Sequence, residues 1–238
     1  MEIKRFYVEK NQIKDGVVEL SGEEHYHLSK VLRFKQGYKL IVCDNSGLDY
    51  HCTVDKITST STFCTVDEIK INETELKIDL ILLFGVIKPE KFEIGIQKAV
   101  ELGVNKIIPF FSENSDSRNV RLDRLNRIAL EACKQCGRAK LPLINEPMSF
   151  EEALQKATGK KIIAYEKEKE NTLKLILSDV GNYESSTLVI GSEGGFTPEE
   201  VAYAKEKGFV SVTLGKRILR AETAVIAGLA NLAMFLED

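Results

Sequence analysis

From Asp79 to the C-terminus, short runs of apolar and β-branched residues alternate with longer segments whose apolar residues recur every three or four positions. The first pattern reads as strands buried on both faces and the second as amphipathic helices, so their alternation calls for an α/β domain with a mostly parallel sheet. Strands are expected at Asp79 to Phe84, Val104 to Phe111, Lys161 to Glu166, Thr187 to Gly191 and Phe209 to Leu214, with a weaker one at Leu141 to Asn145. The helices between them are well punctuated. Pro89 opens one that Gly103 closes, Ser149 and Glu152 cap another before Gly159, and Thr197, Pro198 and Glu200 form a capping box whose helix ends at Gly208. A last helix is expected from about Glu222 to Phe235.

Ahead of this region the pattern is strand-like. Ile3 to Val8, Val17 to Leu20, Tyr38 to Cys43, Leu48 to Ile57 and Thr62 to Ile71 are β-rich, and Asp44-Asn45-Ser46-Gly47 reads as a hairpin turn because Asn and Gly tolerate positive φ. Strands this short close naturally into a small β-barrel. One helix interrupts them, with Ser21 and Glu24 as its expected capping box and His25, Leu28 and Val31 or Leu32 at helical spacing. The polar, aperiodic segment Ile71 to Glu75 marks the boundary, giving domains 1–71 and 72–238.

The remaining composition excludes several classes. With 33 basic against 36 acidic residues the net charge is -3, so nucleic acid would have to be met by a local patch. The longest apolar run, Ala224 to Phe235, contains Gly228 and Asn231 and falls short of the roughly 20 residues of a membrane span. The N-terminus lacks the apolar core of a secretory signal, so a cytoplasmic protein is the expectation. Five cysteines, an odd number, do not suggest a disulfide framework, and the lone Cys133/Cys136 pair reads as small helix-face residues; His25, His27 and His51 lack metal-ligand spacing, so no metal is expected.

Chemistry concentrates in two loops. Leu188 to Ile190 runs into Gly191-Ser192-Glu193-Gly194-Gly195-Phe196 and then into the capped helix at Thr197. Glycines there let backbone groups approach a ligand, and the carboxyl end of a strand in an open α/β sheet is where ligands bind. Neither the dinucleotide nor the P-loop spacing fits, and Glu193 would repel a phosphate. A ligand with an ammonium, ribose hydroxyls and an adenine edge suits the loop better, with a purely structural turn the alternative. The second loop, Leu214-Gly215-Lys216-Arg217-Ile218-Leu219-Arg220-Ala221-Glu222, follows what should be a neighbouring strand, so the two converge on one crevice. Arg220, between Leu219 and Ala221, reads as a functional guanidinium, whereas Glu222 could simply cap the helix dipole.

Together these loops closely resemble the two signature loops of the 16S ribosomal RNA uridine-N3 methyltransferases, the small-subunit methyltransferase E family of the SPOUT superfamily. Further matches are His27-Leu28, Val31-Leu32-Arg33, Lys88, Gln97-Lys98-Ala99, Glu101 to Val104, Glu131-Ala132, Gln135 and Arg138, so the resemblance covers nearly the whole chain. It implies a PUA-like β-barrel joined to an α/β domain with a trefoil knot, a homodimer, S-adenosylmethionine as cofactor, and 16S rRNA in the small ribosomal subunit as substrate. The cofactor should then lie across Leu83, Phe84 and Gly85, Tyr165 and Glu166, Gly191, Glu193, Gly194 and Gly195, and Leu214, Gly215, Ile218 and Leu219, with Ile190 among the residues offering adenine an apolar slot. Arg220 is expected to stabilise charge on the uracil oxygens, and Glu222 to orient it or to accept the proton. The chain departs from the family where Ser192 replaces a proline, which should loosen the turn, where Glu113-Asn114 replaces Glu-Arg, and where Leu125 stands for a tryptophan.

RNA contact has separate support. Seven basic residues between Ser117 and Lys140, Arg118, Arg121 and Arg138 among them, face only Asp123 and Glu131 as local acids. His27, Lys30 and Arg33 recur at spacing three and should share a helix face; Lys88 and Arg217 complete the RNA-binding set. A knotted enzyme acting on a ribose hydroxyl, a non-catalytic RNA-binding module and a small-nucleotide binder stay open as alternatives.

Overall fold

The computed structural model describes residues 3–115, 120–180 and 183–237, and divides the chain into two compact units. The first comprises 1–75 together with 133–141, the second 76–132 with 142–238. Cys133 to Leu141, expected in the second domain on sequence order alone, therefore counts with the first.

The first unit carries β1 (Lys4–Tyr7), β2 (Ile13–Lys14), β3 (Val17–Ser21), α1 (Gly22–Tyr26), β4 (Lys39–Cys43), β5 (Leu48–Ile57) and β6 (Ser61–Ile71). Its six strands run in the order β1-β4-β5-β6-β3-β2, antiparallel except for the parallel β1 and β4 pair. The β4 to β5 turn is the expected one, with Asn45 at φ 66° and Gly47 at φ 89°. Alternate residues Val18 and Leu20, Leu40 and Val42, Cys52 and Val54 point inward around Phe6 and Leu28 and are buried. Burial pushes the Cys43, Cys52 and Cys64 thiols up to about 12, so all three stay protonated at neutral pH; Cys52 and Cys64 pack in the core, while Cys43 accepts from Arg5 and donates to Asp49.

Two expectations fail here. Ser21 is the N-cap of α1, but its side chain accepts no capping hydrogen bond; its hydroxyl instead receives Gln12 Nε2 at 3.2 Å. His27 to Val31 winds as one π-helical turn and Arg33 lies beyond it at φ 53°, so His27, Lys30 and Arg33 do not share an α-helical face.

Arg138 is corrected as well. It is 2% exposed, its guanidinium grips Glu75 with Nη2 to Oε2 at 2.7 Å and Nε to Oε1 at 3.2 Å, and its carbonyl accepts the Tyr7 hydroxyl. It staples 133–141 onto the β-sheet unit and offers no group to RNA. Asn72 reinforces the staple by donating to Asp49 and to the carbonyl of Gly137 at 3.0 Å.

The second unit contains β7 (Asp79–Gly85), α2 (Pro89–Glu101), β8 (Lys106–Phe111), α3 (Leu122–Cys136), β9 (Leu143–Ile144), β10 (Met148–Ser149), α4 (Phe150–Gln155), β11 (Lys160–Ala164), α5 (Leu173–Val180), β12 (Ser185–Ile190), α6 (Pro198–Glu206), β13 (Val210–Val212) and α7 (Ala221–Glu237), the end of α3 belonging to the first unit. Its strands are parallel in the order β10-β8-β7-β12-β11-β13, with β9 beside β8. Leu80 to Phe84 and Leu188 to Ile190 are buried throughout, as continuous apolar strands require. The capping boxes at Ser149/Glu152 and Thr197/Glu200 both form, with Pro198 at the first turn of α6. Leu125, Ala129, Ala132 and Cys133 make the buried stripe of α3. Leu125 borders a small cavity of about 60 Å³ with Phe92 and Val120, consistent with a position where a larger ring would also fit.

Among the described residues no helix is long and apolar enough to cross a membrane. Replacing Arg138 by Met leaves the Glu75 carboxylate without its guanidinium; we expect a loss of about 3 kcal/mol in urea unfolding, the usual cost of stranding one member of a buried pair, against well under 1 kcal/mol for Arg127→Met on the exposed face of α3.

Candidate functional site

Three loops leave the carboxyl ends of β11, β12 and β13. The order β12-β11-β13 shows that the two glycine-bearing loops read from the sequence do not follow adjacent strands: β11 lies between them, and its own loop fills the gap.

The first loop begins where β12 stops. Gly191 runs so close to β7 that a Cβ on Gly85 would lie 2.6 Å from the Ser192 amide nitrogen, and a Cβ on Gly191 itself would meet the Phe196 ring at 3.0 Å. Gly194 is pressed against Asn114, and Gly195 takes φ +67° with the Glu166 carboxylate over its Cα hydrogen side, 3.1 Å from where a Cβ would sit. Only glycine fits this path. Ser192 does not loosen the turn as expected. Its hydroxyl donates to the Asn114 carbonyl at 3.0 Å and receives Ser112 Oγ at 3.3 Å, while Asn114 Nδ2 reaches the carbonyls of Gly194 at 3.3 Å and Gly195 at 3.4 Å. Ser192 thus ties to the main chain at residue 114, and the Asn114 side chain separately ties to the loop.

After β11, Tyr165 donates its amide to Val212 across the sheet, and Glu168 gathers the loop. One Glu168 oxygen accepts the amides of Lys169, Glu170 and Asn171, the other the Ser211 hydroxyl. The serine hydroxyl, followed by those amides, holds the carboxyl down at about 2. After β13, Thr213 Oγ1 bonds the Gly215 amide and carbonyl, turning the chain at Gly215 (φ 125°) toward α7. The carbonyl of Arg220 accepts Ala224 N at 2.8 Å and so starts the helix.

Together the loops wall a cavity of about 680 Å³. Of the residues read from sequence, Tyr165, Glu166, Gly191, Glu193, Gly194, Gly195, Leu214, Gly215, Arg217, Ile218, Leu219, Arg220, Glu222 and Lys88 line it. Leu83, Phe84 and Gly85 do not; Leu83 and Phe84 are paired to β12 and Gly85 to Phe110 of β8, and Gly85 lies directly against Gly191. Arg220 is exposed and Ile218 is 84% exposed, whereas Glu222 is 9% exposed. Glu222 does not pair with Arg220: its partner is Lys91 of α2, 3.6 Å from Oε1. Lys91 was missed. The signal for it was Lys88, one helical turn earlier at the N-cap of α2, together with the rule that a buried carboxylate needs a counter-charge.

The basic stretch on α3 reads differently in space. Arg118 lies outside the described residues. Arg121 pairs with Asp123 at 3.0 Å and Arg124 forks onto Glu93, its Nη2 at 2.7 Å from Oε2. In the first unit Lys134 holds Glu24 at 2.7 Å. Carboxylates remote in sequence cancel much of the apparent excess.

The RNA methyltransferase domain model matches residues 74–233. The ribosomal RNA small subunit methyltransferase E of Bacillus subtilis is 31% identical over 97% of this chain and 96% of its own length, and that of Rickettsia conorii 30% identical over 98% and 96%. The crystal structure of a ribosomal RNA small subunit methyltransferase E from Neisseria gonorrhoeae bound to S-adenosyl methionine overlays with a TM-score of 0.89 at 29% identity, covering 98% of both chains.

Because the Glu168 carboxyl is depressed in the folded protein, its anchoring is complete above the ordinary carboxylate range and is lost as pH falls from about 4.5 toward 2. Amide hydrogen exchange at Lys169 to Asn171 should therefore lose protection, beyond the intrinsic pH effect, between pH 5 and pH 3, and Glu168→Gln should show that loss already at pH 6.

Proposed function

The chain belongs to the ribosomal RNA small subunit methyltransferase E family, and on that premise we propose that it transfers the methyl group of S-adenosylmethionine to N3 of a uridine in 16S rRNA of the small ribosomal subunit. The observation that carries this reading is the single cavity in which glycine turns, two exposed carboxylates and a cationic rim converge. Its residues fit the cofactor. Gly191, Gly194 and Gly195 follow a path that a Cβ would block, Glu166 and Glu193 suit ribose hydroxyls and an ammonium, and Ile190, Leu214, Ile218 and Leu219 provide an apolar slot for adenine. A cavity of about 680 Å³ lies within the range of ligand pockets, roughly 300 to 1,000 Å³.

Bound there, the sulfonium supplies an electrophilic methyl group. What the protein adds is alignment and charge. Holding the nucleophilic nitrogen in line with the methyl carbon is worth several kcal/mol of barrier, on the order of 7 or more in favourable cases. Uracil N3 carries a proton on the pairing edge, so the base must be unpaired before it reacts, and losing that proton leaves negative charge on O2 and O4. Arg220, exposed at the cavity wall, is set to donate to that charge. Glu222, buried at the first turn of α7, is the carboxylate set to take the proton.

Around this centre we place a PUA-like barrel in the six-stranded first unit and a trefoil knot in the segments around β12 and β13, as the family resemblance of the two loops implies. A homodimer is supported by Ile226, Met234 and Phe235 on α7 and Ile94 on α2, which stay exposed and apolar. For RNA we retain His27, Lys30 and Arg33 of the first unit and Lys88, Arg121 and Arg217 of the second. An rRNA substrate places the enzyme in the cytoplasm.

Small subunits from a strain lacking the modification test this reading directly. Wild type should place one methyl group on a uracil nitrogen, and Arg220→Ala should lower turnover about 100-fold, as removal of a single charge-stabilising donor does. Gly195→Ala should weaken S-adenosylhomocysteine binding at least about tenfold in calorimetry, because the φ +67° backbone resists a Cβ and any relief would shift the loop. A methyl found on a ribose oxygen would refute the proposal.

A further inference from the structure

The pairing edge of uracil presents an acceptor at O2, a donor at N3 and an acceptor at O4. One wall of the cavity presents the complementary set. Lys91 Nζ lies 3.6 Å from Glu222 Oε1, and Arg220 stands two residues before Glu222 on the same wall. The charged groups lining the cavity are Lys88 and Lys91 at the start of α2, Arg217 and Arg220 ahead of α7, Glu222 in the first turn of α7, and Glu166 and Glu193 from the other two loops; of the three carboxylates Glu222 is the buried one. Its burial, at 9% exposed, strengthens any hydrogen bond it makes there.

We propose that Lys91, Glu222 and Arg220 read the target base as a donor, acceptor and donor, which makes Lys91 a determinant of uracil specificity. The proposal rests on the methyl-transfer reading of the cavity and extends it to a residue given no part in substrate recognition above. Cytosine offers acceptors at O2 and N3 and a donor at N4, so its N3 lone pair would face the Glu222 carboxylate and its amino group would face a cation. A site built to hydrogen-bond one edge rejects its mismatch strongly, because the protein groups are left unpaired. The same arrangement serves the reaction. Glu222 takes the N3 proton, the freed N3 electron pair forms the bond to the methyl carbon, and the carbon to sulfur bond breaks with its pair retained by sulfur, which becomes a neutral thioether. Lys91 and Arg220 compensate the charge on the ring oxygens, and the proton leaves Glu222 to solvent.

The test uses full-length protein and small subunits reconstituted with 16S rRNA carrying uridine or cytidine at the position wild type methylates. Binding is measured with S-adenosylhomocysteine present, and single-turnover methylation in parallel. Lys91→Met should lower the methylation rate about tenfold or more and shrink the uridine-over-cytidine binding preference by a similar factor, with S-adenosylhomocysteine affinity within about twofold of wild type. Lys91→Arg, which keeps a donor, should recover most of both. Failure of wild type to methylate uridine would refute the underlying reading of the cavity. Methylating wild type with Lys91→Met retaining full rate and full uridine preference, or losing cofactor affinity in parallel with rate, would overturn the role of Lys91.

Discussion

The backbone contact between β7 and β12 sets everything else in the second unit. Gly85 ends one strand, Gly191 leaves the other, and the two approach so closely that neither side tolerates a Cβ without displacing main chain or the Phe196 ring. This contact puts the glycine turn directly over the carboxyl ends of the two central strands. The aromatic pair beneath it, Phe110 stacked with Phe196 at 6.3 Å between centroids, prevents the turn from collapsing into the core. Ser192 and Asn114 add short polar ties above. The turn is therefore rigid in both directions, as a backbone that must meet a ligand at fixed distance has to be.

Rigidity of that kind makes the sequence departures understandable. A proline would fix φ at the position of Ser192 covalently; serine leaves φ free but recovers order through two hydroxyl contacts. One of those contacts ends on Asn114, itself a departure, whose amide then spans two glycine carbonyls. Each side chain supplies its own ties to the loop, at the cost of one more side chain held in place.

Local signals carried most of the fold. The capping boxes at Ser149 and Thr197, the Asn45 to Gly47 turn and the continuous apolar strands depend on neighbours a few residues away, and the structure reproduces them. What escaped was non-local. Nothing adjacent to Ser21 reveals that Gln12 claims its hydroxyl, and no periodicity says that β11 inserts between β12 and β13. The helix α5 also escaped, its start held by Leu173 N to the Thr213 carbonyl from a strand end some 40 positions away. For the site, the glycines and the Arg220 to Glu222 run were legible because backbone approach demands a rare residue. Lys91 was not, because its meaning depends on α7 packing against α2.

Charge shows the same division between chain and space. Along the sequence, the region from Arg118 to Lys140 is the most basic in the protein, and a phosphate-binding face is the natural inference. In the fold, Glu93 answers Arg124, Glu24 answers Lys134 and Glu75 answers Arg138, so these cations stabilise the units that hold them. The cavity wall inverts this arithmetic. There Lys88, Lys91, Arg217 and Arg220 line one cavity with Glu166, Glu193 and Glu222, and only Lys91 is paired with Glu222, in a chain whose net charge is negative. Positive potential is concentrated where an anionic strand must deliver a base and where that base must shed a proton, and it is spent on internal pairs elsewhere. A modestly acidic protein can in this way handle RNA with few cations, provided that the fold gathers those few at the site of the reaction.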